Sequence, residues 1–335
     1  MEIRRMITTI DAHCGGEPLR IVTAGLPPLA GATMLERRRY LREHLDDVRR
    51  LLMFEPRGHP DMYGCVLTPP VSAGADLGVL FMHNEGYSTM CGHGVIALVT
   101  ALLETGVLPV REPETAVALD TPAGPVSARA EVAGGRVRRV TFANVPSFVY
   151  ARDVRVELPG LGPVRADVAF GGAFYAVVEA ATLDLAVRPV QVKRLTEAGA
   201  RIAERVAAEL PIRHPRADDL GFLYGTILWD RPERGPADAR NVTVFADAQV
   251  DRSPCGTGTS AVMALRHAEG RLKLGEPFVH ESIVGTRFGG RLVASARVGP
   301  YEAVIPEITG SAHLTGFHQF VVDPEDPLAE GFVLR

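Results

Sequence analysis

One unit occurs twice in this chain, and that repeat limits its architecture more than any other feature. Asp11-Ala-His-Cys-Gly-Gly, with Val22 seven residues beyond Gly15, is matched by Asp167-Val-Ala-Phe-Gly-Gly, with Val178 seven residues beyond Gly171. Cys91-Gly-His-Gly-Val-Ile-Ala is matched in the same order by Cys255-Gly-Thr-Gly-Thr-Ser-Ala. The first cysteine lies 76 residues beyond its glycine (91 − 15) and the second 84 residues beyond (255 − 171). Each is followed fifteen residues later by a glycine, Gly106 or Gly270, suited to the left-handed position that ends a helix. Two copies are too few for a solenoid, so the repeat predicts two like domains related by a pseudo-two-fold axis.

A length of 335 residues accommodates both. Pro159-Gly-Leu-Gly-Pro breaks regular structure and places the boundary between residues 156 and 157. The N-terminal α+β domain, 1–156, then carries Cys91, with the C-terminal tail packing back on it. The C-terminal α+β domain, 157–335, carries Cys255. Strands are predicted at Gly78–His83 and Val242–Ala246, each leading through a short loop to a cysteine and a helix. The helices Gly94–Leu103 and Gly258–Ala268 are apolar around much of their circumference and should be buried centrally. Ala116–Ala130 and Arg291–Val304 read as strands that wrap around them. Glu36–Leu52 reads as a solvated amphipathic helix, its arginines a wet face.

Charge and composition narrow the function. Acidic residues exceed basic ones, 40 to 36, which argues against a nucleic-acid surface. The longest apolar run, Gly94–Leu103, is short of the roughly 20 residues that span a bilayer. The opening Met-Glu-Ile-Arg-Arg-Met-Ile lacks the apolar core of a signal peptide, and four cysteines in so long a chain suit a reducing cytoplasm. Cys91 with His93 is a closely spaced Cys/His pair that nothing completes, so no metal is expected. Gly92-x-Gly-x-x-Ala97 and Gly256-x-Gly-x-x-Ala261 fit a dinucleotide fingerprint, but they lie deep in each half without the opening βαβ context. Cys14 and Cys65 read as small buried hydrophobes.

Cys91 and Cys255 are different. A cysteine at the mouth of a helix faces unpaired N–H groups and the positive end of the dipole, which should lower its thiol pKa. Glycines 92, 94, 256 and 258 leave room for a small anion near those N–H groups. Two such thiols on opposite flanks of one carbon are what inversion beside a carboxylate requires: one removes a proton while the other returns one to the opposite face. His93 and Asp251 flank the thiols and are candidates for tuning them or holding a substrate nitrogen.

Cys91-Gly-His-Gly preceded by Met90, Asp251-Arg-Ser-Pro-Cys-Gly-Thr-Gly-Thr-Ser, Gly16-Glu-Pro-Leu-Arg and Glu55-Pro-Arg-Gly-His together resemble the proline racemase family, from about Ile7 to Phe332. That family includes proline racemases, hydroxyproline 2-epimerases and trans-3-hydroxy-L-proline dehydratases. The resemblance implies a diaminopimelate-epimerase-like α+β fold, in which two domains of mixed β-sheet each wrap a central helix. It also implies no cofactor, a small imino acid as the only ligand, and a homodimer. Carried over by motif, Cys91 and Cys255 match the catalytic pair, and Gly92, His93, Gly256 and Thr257 match the backbone cradle of the substrate carboxylate. His93 and Asp251 match residues near the substrate nitrogen. Phe245 matches a position that is aromatic in proline racemases and smaller in hydroxyproline epimerases, which disfavours a 4-hydroxyl.

One set of motifs points elsewhere. His83-Asn-Glu-Gly-Tyr-Ser, Met53-Phe-Glu-Pro-Arg-Gly-His with Asp61-Met-Tyr-Gly, and Phe222-Leu-Tyr-Gly-Thr-Ile look closest to the dehydratase branch. Dehydratases usually carry threonine where this chain has Cys255, because elimination needs no proton on the opposite face. A second thiol favours a reaction that gives the proton back. The expectation is a racemase of proline, with trans-3-hydroxy-L-proline dehydration, or hydroxyproline epimerisation, as the alternative.

Overall fold

The computed structural model describes residues 5–232 and 235–334. In chain order the elements are β1 (Arg5–Cys14), β2 (Glu17–Ala24), α1 (Met34–His44), α2 (Asp46–Met53), β3 (Tyr63–Thr68), β4 (Leu77–His83), β5 (Gly86–Ser88), α3 (Gly92–Glu104), β6 (Glu114–Thr121), β7 (Gly124–Ala133) and β8 (Arg136–Ala143). There follow β9 (Ser147–Leu158), β10 (Gly162–Phe170), β11 (Phe174–Glu179), α4 (Val192–Glu209), β12 (Leu223–Asp230), β13 (Ala239–Phe245), β14 (Gln249–Asp251), α5 (Gly256–Ala268), β15 (Pro277–Ser282), β16 (Arg287–Val298), β17 (Tyr301–Gly310) and β18 (Ala312–Val322).

The chain divides into two compact units. One comprises residues 1–90, 94–140 and 311–335, and the other Cys91–His93 with Thr141–Gly310. The division falls inside β8, ahead of the expected boundary. Pro159-Gly-Leu-Gly is no linker: it caps the hairpin in which Gly162 on β10 faces Leu158 on β9. The C-terminal strand β18 pairs along β1, from Arg5 opposite Val322 to Cys14 opposite Ala312, and so belongs with the first unit.

In the first unit β1 and β2 form a hairpin turned by Gly15 and Gly16, both at positive φ (62° and 93°), where a side chain would be strained. β2 pairs parallel to β3, β3 antiparallel to β4, β4 antiparallel to β5 and parallel to β6, and β6 antiparallel to β7. The second unit repeats this connectivity. β10 and β11 form the glycine-turned hairpin, β11 runs parallel to β12, β12 antiparallel to β13, β13 antiparallel to β14 and parallel to β15, and β15 antiparallel to β16. Helices occupy the same slots, α1–α2 and α4 in the first crossover, α3 and α5 in the second. Each unit is a mixed sheet, as expected.

The two helices behind the cysteines are the core elements. Every residue of α3 from Gly92 to Leu103 is buried, as is every residue of α5 from Gly256 to Leu265. α5 packs against β9, β10, β11, β16 and β17. Burying Val262, Met263 and Leu265 contributes about 1.5–3 kcal/mol per side chain. Both helices end as the sequence indicates, with Gly106 at φ 74° and Gly270 at φ 71°. At Gly270 the bonds from Gly270 N–H to the His267 carbonyl (2.9 Å) and from Arg271 N–H to the Arg266 carbonyl (2.8 Å) satisfy carbonyls the helix leaves open.

Two local expectations change. Ala116–Ala130 and Arg291–Val304 are each two strands of a hairpin, β6–β7 and β16–β17. The stretch Glu36–Leu52 is two helices, broken at Leu45, and its arginines are not all wet. Arg49 is buried, its guanidinium 2.7 Å from Asp46 and bonded to the carbonyls of His83 and Asn84. Those carbonyls lie at the end of β4, where two of the dehydratase-like motifs meet. Asn84 donates to the carbonyls of Met53 (2.7 Å) and His59 (3.2 Å) and accepts from Met62 N–H (3.2 Å), gathering the segments 53–62 and 83–84. Among the described residues no helix is long and apolar enough to cross a membrane.

Candidate active site

Strand β13 delivers the second cysteine. Its end, Phe245, faces Gln249 across a tight turn whose Ala246 and Ala248 take positive φ (48° and 58°), and β14 returns the chain to Asp251. Asp251 accepts from Ser253 N–H (2.8 Å), and Ser253 Oγ accepts from Cys255 N–H (3.1 Å). The Pro254 carbonyl is held by Asn241 Nδ2 (3.0 Å) and Thr259 Oγ1 (3.1 Å). These bonds fix Cys255 at φ 62°, a left-handed conformation costing a non-glycine residue on the order of 1–3 kcal/mol. Cys255 caps α5: its sulfur accepts from Gly258 N–H at 3.4 Å, and its carbonyl from Thr259 N–H at 2.7 Å.

Cys91 stands immediately before α3, and its Sγ lies 3.1 Å from His93 Nδ1 and 3.7 Å from Nε2. Gly92 and Gly256, the first residues of the two helices, are in van der Waals contact, and a Cβ on either would overlap the other's Cα at 2.5 Å. The ring of Phe142 closes over the same spot, 3.0 Å from a Cβ on Gly92 and 3.3 Å from one on Gly256. Cys91, Gly92, His93, Phe245, Asp251, Cys255, Gly256 and Thr257 all fall within the second unit. First-turn N–H groups have no acceptor inside their own helix, so two adjacent helix starts offer donors suited to an anion.

The expectation of two acidified thiols is corrected at Cys255. All four cysteines are buried thiols. Burial first, and next the Asp251 carboxylate, push the Cys255 thiol up to about 12, against the smaller opposing effects of Gly258 N–H and the Thr257 and Thr243 hydroxyls. Desolvation of a sulfur anion outweighs the helix end when the site is closed to water. Cys65 is also raised by burial alone, as its reading as a small core residue predicts. Cys14 is buried in β1, and that burial shields it from oxidants.

Several residues of this site escaped the sequence reading. Tyr175, buried on β11, sets its hydroxyl 2.7 Å from Thr257 Oγ1 and 3.8 Å from Cys255 Sγ. Burial foremost, then the charge of Cys255 and Tyr224, holds that hydroxyl well above the ordinary tyrosine range. Tyr224 meets Tyr175 edge-on (5.8 Å, 88°) and lies parallel to Phe245 (5.3 Å, 14°). His280, on β15, sits 2.8 Å from Thr259 Oγ1. Since Thr259 gives its one proton to the Pro254 carbonyl, His280 Nδ1 is the donor, and Nε2 is a buried atom with no hydrogen-bond partner. Burial, then Arg266, lowers His280 to about 3. The one sequence signal for Tyr175 is its place two residues after the repeated Gly-Gly turn's Ala173. Asn144 gave none, although its Nδ2 ties the Gly171 carbonyl (2.7 Å) to Ser260 Oγ (2.8 Å) on α5. Among the described residues no group of three or more His, Cys, Asp or Glu is arranged to hold a metal ion.

The chain resembles known proteins along nearly its whole length. Residues 9–333 match the family model described as proline racemase. A Bacillus cereus protein named trans-3-hydroxy-L-proline dehydratase is 51% identical over 334 residues, covering 100% of both chains. A Clostridioides difficile protein named proline racemase is 45% identical over 335 residues, again across 100% of both. The crystal structure of a hydroxyproline epimerase from Agrobacterium vitis, with bound trans-4-hydroxy-L-proline, is 36% identical and superposes with a TM-score of 0.94 over 100% of this chain and 97% of that one. The mixed-sheet α+β fold and the matched sequence agree from end to end: this chain belongs to the proline racemase family.

Proposed function

We propose that this protein inverts the α-carbon of a cyclic imino acid with two thiols and no cofactor, and that its substrate is proline. The observation that carries the reading is the contact between Gly92 and Gly256, which joins two helix starts each preceded by a cysteine. A thiolate on one side takes the Cα proton, and the thiol on the other delivers a proton to the opposite face. The roles reverse for the other enantiomer, so the pair titrates as one coupled unit. Negative charge that builds on the carboxylate as the carbon ionises meets the first-turn N–H groups of Gly92, His93, Gly256 and Thr257. His93 and Asp251 receive the ring nitrogen. Phe245, braced by the parallel ring of Tyr224, closes the wall where a 4-hydroxyl would extend. The reading includes a homodimer in a reducing cytoplasm.

A second reading has a specific basis. The 51% identical relative is named a trans-3-hydroxy-L-proline dehydratase, and Asn84 ties together two of the three motifs resembling that branch, at residues 53–62 and 83–84. In that reaction Cys91 takes the Cα proton, the C3–O bond breaks, the hydroxide departs as water on receiving that proton from Cys91, and the enamine tautomerises to a cyclic imine. Both readings are tested in D2O. L-Proline should yield D-proline carrying solvent deuterium at Cα. Imine from trans-3-hydroxy-L-proline, with proline unchanged, would replace the first reading by the second; no reaction with either would overturn both.

A further inference from the structure

The two thiols have chemically unlike partners. Cys91 faces an imidazole, His93, whose ring nitrogens donate or accept according to tautomer. Cys255 faces hydroxyls instead: Thr243 bears on the sulfur, and Tyr175 and Thr257 approach it as a pair bonded to each other. Tyr175 Oη, Thr257 Oγ1 and Cys255 Sγ form a triangle with edges of 2.7, 3.8 and 3.7 Å, all buried. We propose that Tyr175 is a positioning residue for Cys255, forming with Thr257 a reversible hydroxyl pair that supports the sulfur both as thiol and as thiolate. The proposal rests on the two-thiol reading given above.

Proton counting gives the reason. The pair holds two hydroxyl protons and the sulfur holds one or none. When Cys255 is a thiol, its proton points into the pair and the hydroxyls share theirs. When Cys255 has given its proton to the substrate carbon, one hydroxyl turns its proton onto the sulfur and accepts the other's in turn. No heavy atom moves and no proton is lost or gained by the pair. Such support is needed at this position, since burial and the Asp251 carboxylate both oppose a charged sulfur here. Tyr175 is suited to the task because its ring is held edge-on by Tyr224, leaving only the hydroxyl proton to rotate. A hydrogen bond to an ionised group of this kind corresponds to about a tenfold or greater change in equilibrium.

The test compares Tyr175→Phe, which keeps the ring, with Thr257→Val, which keeps the backbone N–H. The rate of alkylation of Cys255 by iodoacetamide, read between pH 8 and 10 by mass mapping of its peptide, reports the thiolate population without turnover. The expected result is a drop of about tenfold in each variant, with the double variant falling short of the product of the two. Turnover gives the second measure. The enantiomers are equal in free energy, so kcat/KM is the same in both directions for every variant. Altered support of one thiol therefore appears as unequal changes in the two kcat values, compensated in KM. Tyr150→Phe, whose hydroxyl binds the Pro211 carbonyl, should change neither measure. A Cys255 alkylation rate in Tyr175→Phe within twofold of the parent, or faster, overturns the proposal whatever happens to turnover. A parent protein that inverts no proline-class substrate overturns the proposed function instead, and the alkylation rates still decide the role of Tyr175.

Discussion

A Cβ built on Gly92 lies 2.5 Å from the Cα of Gly256, and one built on Gly256 lies 2.5 Å from the Cα of Gly92. Real Cβ atoms do not approach backbone so closely, and neither neighbour is a flexible side-chain tip. The two helix starts touch because both residues lack a side chain.

Gly256→Ala should therefore act on the site before it acts on the fold. The methyl would force the helix starts apart and shift Cys255 relative to Cys91, costing about 1–3 kcal/mol as overpacking. The expected outcome is a loss of at least a hundredfold in turnover with a thermal midpoint lowered by a few degrees. Polarimetry and thermal denaturation would measure the two, and full activity in this variant would refute the contact as a determinant of the site.

Cys255→Thr should abolish inversion, since a hydroxyl at this position gives no proton to a carbanion at useful rates. Cys91 remains, so exchange of the Cα proton of one enantiomer should persist in D2O at a reduced rate. If elimination from trans-3-hydroxy-L-proline is also within the enzyme's range, it should survive this substitution. NMR of the α-proton and chiral chromatography distinguish the outcomes.

Phe245→Ala should change which ring the site accepts. Removing the ring stacked on Tyr224 opens space of side-chain size, while proline loses an apolar wall. The ratio of kcat/KM for trans-4-hydroxy-L-proline to that for proline should rise by about tenfold or more, the scale of such pocket changes. A ratio unchanged within twofold would mean the ring does not face the substrate.

His280 makes stability depend on acid. The unfolded chain takes up a proton near the ordinary histidine value of 6.5, whereas the folded protein holds His280 neutral down to about 3. Its stabilisation is thus complete above 6.5 and is lost as pH falls toward 3, at up to about 1.4 kcal/mol per pH unit. His280→Gln should flatten the acid limb of denaturant-unfolding curves without removing it, because His13 and His214 are lowered too. The sign reverses on the alkaline side. Cys255 is raised from 9.0 to about 12, so the folded form keeps its proton longer than the unfolded chain and stability declines as pH climbs through that interval.

Much of this molecule follows from local patterns in the chain. The repeated Gly-Gly hairpins, the apolar helices behind Cys91 and Cys255, and the left-handed Gly106 and Gly270 depend on near neighbours, and a linear reading finds them. The family follows from the same motifs. What the chain alone does not disclose is which distant groups meet. Pro159-Gly-Leu-Gly looks like a linker until β9 and β10 pair across it. Arg49 looks wet until the carbonyls of residues 83 and 84 close over it. Tyr175 is one tyrosine among seven until the sheet brings it beneath a cysteine eighty residues on. The thiol's charge preference was reversed for the same reason. A helix start favours an anion through bonds a sequence displays, but burial opposes it through the exclusion of water, which depends on every element packed around the sulfur.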